Sequence, residues 1–309
     1  MILTKLLQLF LFNFTNGAGR VTADALWLLA LFFGGELIVT GITFVLTREF
    51  QFREIVWKSI MAGFFVWLIT NWSTVTRVLI KGFIQAGLKI GGDVISETDF
   101  TDPDNIALYG LSVTAVVFHH LSDYAGLDAL KNIVEILGSG VTAWLVVVFY
   151  FAMAVIIFIT LLEFYLGTAI TVILLPWGMF SKTAWLTEKA LAYVFASGVR
   201  LLVLATILGT ALPFLYGNAQ SLGTGFDAVW RQLLGAGALL GLCWKANSIA
   251  QGFVYGGPAL VLADAGVVIQ HLNIQVTRLG NAIQGLADLM ARSDPNHPAR
   301  QAAVPGRRV

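Results

Sequence analysis

Residues Val141 to Leu162 form an unbroken apolar run with no Asp, Glu, Lys or Arg. A stretch this long, near the roughly 20 helical residues needed to cross about 30 Å of hydrocarbon, has no role in a soluble core of ordinary size. Several other runs in the 309-residue chain approach it. The chain is 57% hydrophobic and only 12% charged, with mean hydropathy +0.79, whereas soluble domains carry about a quarter charged residues. The apolar–polar alternation of an outer-membrane barrel is missing, and backbone polar groups in lipid must then be satisfied within helices. The expected fold class is all-α: a polytopic helical membrane protein with about five transmembrane helices and a helical periplasmic loop domain.

The chain divides by charge and breaker residues. Residues 1–22 read as an N-terminal amphipathic or partly inserted segment, with an uncleaved signal as the alternative because no clear small-residue cleavage site follows. Residues 23–90 hold the first two spans. The first, Ala23 to Leu46, reaches about 36 Å as helix; the second, from Ile55 to about Asn71, continues amphipathically through Lys89 and ends at Gly91-Gly92. Residues 91–140 form an acidic loop domain in which Asp93, Glu97, Asp99, Asp102, Asp104, Asp123, Asp128 and Glu135 stand against Lys131 alone. Within it Thr101-Asp102-Pro103 reads as a helix start, a capping side chain followed by proline in the first turn, with Ile106 to Phe118 as the helix.

Residues 141–253 hold three further spans. The apolar run from Tyr165 to Leu175 is too short to cross alone and reads as a continuation of the preceding helix, or a re-entrant segment, that stops at Pro176. The fourth span, Leu191 to Leu215, closes at Pro213 and Gly217; the fifth runs from about Val229 to Ile249. Residues 254–290 form an amphipathic cytoplasmic segment and 291–309 a basic flexible tail. An N-out, C-in arrangement puts Arg48, Arg53, Lys58, Lys182, Lys189 and the basic tail inside, as the bias of Lys and Arg towards the cytoplasm requires. Arg77, Lys81 and Lys89 fit it least well, facing the acidic loop on the outer side.

Charged groups in apolar spans cost a few kcal/mol each and are usually paired or functional. Glu36 and Arg200 lie nearest mid-span, so they are the candidate intramembrane polar residues, paired with each other or lining a polar cavity. Glu163, Arg231 and Lys245 are better placed to snorkel to an interface. Gly237 and Gly241, four residues apart, are candidate helix-packing positions because such spacing lets backbones approach closely. His119-His120 are adjacent, so their side chains point about 100° apart on a helix and do not make a metal site. Cys243 stands alone, which rules out an intrachain disulfide or CxxC chemistry. No phosphate-binding loop, GxSxG elbow or HExxH is present, so no catalytic residue, metal or cofactor is expected.

The pattern resembles the TrbL-type conjugal transfer proteins, related to the polytopic VirB inner-membrane subunit of type IV secretion systems. The residues that carry the resemblance are Phe100-Thr101-Asp102-Pro103 with Ile106 and Gly110, the break Leu175-Pro176-Trp177-Gly178-Met179-Phe180, the run from Thr183 to Ala190 leading into Tyr193-Val194-Phe195 and Gly198-Val199-Arg200-Leu201, and Gly256-Gly257-Pro258, within Asp93 to Leu262. The resemblance implies a bacterial inner-membrane component that hydrolyses nothing itself. It also implies partners: secretion ATPases and pilus components, further copies of the chain in a five-fold ring, lipids, and transient contact with substrate DNA. The acidic loop, with Asp102 and Pro103 at its helix start, would meet those partners. The rival class is a small-solute transporter or channel in which Glu36 and Arg200 bind substrate; the two halves of the chain share no visible inverted repeat, and five spans do not divide equally.

Overall fold

The computed structural model describes residues 2–47, 52–122, 133–221 and 226–255; among them every regular element is helical and none is a strand. The expected amphipathic segment after residue 255, the Gly256-Gly257-Pro258 turn and the basic tail lie outside the described residues. Among the described residues four helices are long and apolar enough to cross a membrane, or five if one bent pair counts as a single span.

Helix α1 runs from Ile2 to Thr47, 46 residues and about 69 Å, without interruption. The division expected at residue 22 therefore coincides with no break. Gly17 and Gly19 weaken a helix by only about 1 kcal/mol each, while Leu7 on one side of them and Ala25 and Leu29 on the other are all buried in the same core. Helix α2 (Phe52–Thr70) and helix α3 (Trp72–Ile90) meet at a 71° bend, where the sequence suggested one continuous helix. At the bend the Asn71 side chain donates to the Trp67 carbonyl at 2.9 Å, and the Asn71 carbonyl accepts from the backbone of Thr74 and Val75 at 3.0 Å. The new direction is anchored at once: Trp72 is buried and its indole N–H donates to the Thr168 carbonyl at 2.8 Å.

Helix α3 is amphipathic as expected. Trp72, Thr76, Ile80, Ile84, Gly87 and Leu88 face inward, while Arg77, Lys81 and Lys89 are exposed. It ends where Gly92 takes φ 102°, a left-handed conformation that suits glycine. Short α4 (Glu97–Thr101) is capped by the Ser96 hydroxyl, which accepts from Asp99 N, and α5 (Pro103–Ser122) follows at the helix start the sequence marked. Asp102 caps it, accepting the Asp104 N–H at 3.1 Å. Far from standing apart, α5 lies against α6 (Ile133–Leu174): a Cβ on Gly110 would sit 2.6 Å from the Tyr150 Cβ, and Ile106 and Val113 are buried in the common core.

Helix α6 spans 42 residues, about 63 Å, so the run after Tyr165 is indeed a continuation; it tightens into a 3-10 turn at Leu175–Met179, where Pro176 ends the regular ladder. Helix α7 (Ala184–Ser221) contains the expected fourth span but does not close at Pro213, which lies inside it. Leu212 and Leu215, both buried, hold the backbone on either side of the proline against the bundle, and a long helix tolerates the loss of one N–H when its neighbours pack. Helix α8 (Phe226–Tyr255) completes the described chain.

Candidate functional site: two ion pairs in an apolar bundle

Glu36 and Thr40 lie one turn apart on α1 and face α2, as i,i+4 positions must. Glu36 is buried at 5% exposure, and its Oε1 lies 3.1 Å from the Lys58 ammonium. Lys58 Nζ also donates to the Thr40 hydroxyl at 2.6 Å, and that hydroxyl donates to the Glu36 carbonyl at 2.8 Å. The second carboxylate oxygen, Oε2, is buried without a hydrogen-bond partner. A wide groove of about 1270 Å³ opens beside the pair, lined by Phe52, Trp57 and Ser181 among others.

Arg200, on α7, does not reach Glu36. Its Nη1 contacts Glu163 Oε2 on α6 at 2.5 Å, and the Tyr193 hydroxyl donates to the other Glu163 oxygen at 3.3 Å. The Nε of Arg200 is buried and unpartnered. The expectation that Glu36 and Arg200 pair with each other is therefore corrected: each takes a different partner, and Glu36 also lines the groove. Two helices that carry these charges are held together locally in each case, because an isolated charge in an apolar bundle is far costlier than a paired one. Arg231 pairs with Asp227 at 2.6 Å, one turn away on the exposed surface of α8. Sequence reasoning missed Lys58 and Glu163 as partners because their separations from Glu36 and Arg200, 22 and 37 residues, carry no helical periodicity.

The acidic helix start turns inward. The Thr4 hydroxyl donates to Asp102 Oδ1, and the buried Asp104 carboxylate accepts the Leu3 and Thr4 backbone N–H groups at 3.3 and 3.0 Å. Burial by itself pushes the Asp104 carboxyl upward, but these donors outweigh it and hold the group below the ordinary 3.8. Two of the four orphan donors at the start of α1 are thereby satisfied from a segment 100 residues away. Pro103 is buried beside them.

Of the candidate packing glycines, Gly237 faces Phe149 of α6, whose ring would lie 3.2 Å from an added Cβ, while Gly241 faces open space. The closest approach of a glycine to the backbone of another helix, among the described residues, involves a pair the sequence did not single out for packing. A Cβ on Gly87 would lie 2.4 Å from the Leu202 carbonyl oxygen, and one on Gly91 would lie 2.9 Å from that of Thr206 and 3.0 Å from Gly209 Cα.

The sequence profile described as TrbL/VirB6 plasmid conjugal transfer protein matches residues 29–246, which include both ion pairs. The chain belongs to the TrbL/VirB6 family. It is 27% identical over 209 residues to a protein of Sinorhizobium fredii described as probable conjugal transfer protein TrbL, an overlap of 66% of this chain and 50% of that protein. The chain thus spans about half the length of that curated relative. The family match starts well before Asp93, at residue 29 inside α1, so it takes in the later part of α1 together with α2 and α3.

Proposed function

We propose that this chain is a multi-pass inner-membrane component of a bacterial conjugation or type IV secretion system, N-out and C-in, that acts as an oligomeric platform for the transfer channel and for pilus assembly and performs no chemistry of its own. The observation that carries this reading is the family match across 29–246, laid over a bundle of long apolar helices. The two ion pairs, partly buried apart from the fully buried Glu36, fit a scaffold: they join α1 to α2 and α6 to α7 rather than converging on one substrate site. In this reading residues 91–140 form the periplasmic face that meets pilus components, and the cytoplasmic side meets the secretion ATPases. Because Asp102 is engaged with α1 and Pro103 is buried, they order this face, and its exposed residues touch the partner.

Deleting the gene is the direct test. Mating or substrate delivery should fall to background while solute uptake is unchanged; normal transfer in the deletion strain, or substrate-dependent currents from the purified protein in liposomes, would favour a small-solute transporter. Alkaline phosphatase fused after Gly217 should be active and after Ser181 inactive. A further fusion after Gly92 decides whether the bent α2–α3 pair crosses the membrane, and activity there is expected for five spans.

A further inference from the structure

A second cavity, of about 360 Å³, lies between α1, α3 and α6, within the size range of small-ligand pockets. Its walls are mostly apolar, with Leu11, Phe12 and Tyr165 among them, but Thr15, Asn16, Ser73 and Arg77 stand along it. Three polar side chains of the wall are occupied internally: Trp72 donates to Thr168, Thr76 to Trp72 and Thr168 to Tyr165, each to a backbone carbonyl. Thr15, Asn16, Ser73 and Arg77 make no side-chain hydrogen bond or ion pair among the described residues, and all four are exposed. Glu97, on the segment beyond α3, accepts from Gln85 at 2.9 Å, and no carboxylate lines the cavity. A cation and several neutral donors or acceptors therefore stand over an apolar floor with no carboxylate in the wall itself, while Glu97 lies near enough to act, with Arg77, on the Tyr165 hydroxyl.

We propose that this cavity binds an anionic phospholipid, with its phosphate at Arg77 and the start of an acyl chain against the apolar walls. A guanidinium presents a planar set of donors suited to phosphate oxygens, and Ser73, one turn before Arg77 on the same stripe of α3, adds a hydroxyl beside it. A small free anion would leave the aromatic walls unused. A polyanion such as nucleic acid would need a row of cations rather than one above an apolar recess. An amphiphile with one negative headgroup satisfies both parts of the site. This proposal is independent of the secretion reading, since it rests only on the cavity.

The test uses the full chain in neutral detergent, with bound lipid counted by native mass spectrometry during titration with phosphatidylglycerol, phosphatidylcholine or glycerol phosphate. The wild type should prefer phosphatidylglycerol by about tenfold, the value of one good charge-assisted hydrogen bond. Arg77→Gln should remove that preference and Arg77→Lys keep most of it; because Arg77 is exposed, both should retain the wild-type circular dichroism. Ala169→Leu, which narrows the apolar wall without changing charge, should weaken both lipids. An undiminished preference in Arg77→Gln, no effect of Ala169→Leu, or glycerol phosphate competing as well as the lipid would each overturn the proposal, the last in favour of a small-anion site.

Discussion

Helix α3 with its C-terminal cap and helix α8 each present a pair of glycines four residues apart, and the structure uses the two pairs in opposite ways. Gly87 and Gly91 bring α3 against the backbone of α7, with carbonyl oxygens and Gly209 where side chains would have to go. Gly237 meets only the ring of Phe149, and Gly241 meets nothing within 4 Å. The same spacing thus marks a closed backbone crossing in one helix and a loosely covered face in the other. Spacing alone permits close approach; the partner's small residues, here Gly209 opposite Gly91, decide whether it happens.

The sharpest test of this contrast is Gly87→Leu. The side chain would collide with backbone that cannot rotate away, so α3 must separate from α7, at a cost of roughly 3 kcal/mol. Thermal unfolding in detergent, followed by circular dichroism, should show the largest drop of any variant in this set; an unchanged midpoint would mean that the crossing is not as close as described. Next comes a clamp made of charge rather than of glycine. Asp104→Ala leaves the Leu3 and Thr4 N–H groups without their acceptor and should cost about 2 kcal/mol near neutral pH. Since the donors hold the Asp104 carboxyl below 3.8, its contribution is complete above the ordinary carboxylate range and is lost as pH falls through the lowered value. The gap between wild type and variant should therefore close in acid, and a gap that persists there would assign the effect to packing.

Gly237→Leu should cost about 1 kcal/mol, because the Phe149 ring is able to turn aside where a carbonyl is not. The smallest effect on the fold belongs to Gly241→Leu, expected within about 0.5 kcal/mol of wild type. If α8 supplies a contact between copies, this variant should nevertheless weaken the assembly on a native gel. An intact assembly would place the subunit interface on another helix.

What could be read from the sequence was what acts locally. Pro103 and Pro176 mark a helix start and a helix end at the positions observed, since proline constrains its own turn. The amphipathic character of α3 was equally plain from its spacing. The bend at Asn71 was not, because an asparagine that bonds the carbonyl four residues back looks like any polar residue in a helix. Nor did Pro213 stop α7, where packing by Leu212 and Leu215 overrides the local signal. In the candidate site, Glu36 and Arg200 stood out as charges in apolar runs, yet Lys58 and Glu163 were hidden: which charge meets which depends on how helices distant in sequence come together.

The uninterrupted length of α1 and α6 has a mechanical consequence. A hydrogen-bonded helix resists bending along its whole ladder, so a rod of 46 or 42 residues moves as one piece. A tug on the end of α1 that Asp104 holds is then felt at Glu36, about nine turns away, and whatever shifts Glu36 drags on Lys58 and with it α2. The Asn71 elbow and the 3-10 turn at Leu175–Met179 interrupt such ladders, and the Phe32 side chain of α1 rests on Trp177 inside the second of these, 4.8 Å between ring centroids. The stiff strut of α1 therefore bears directly on a joint of the bundle.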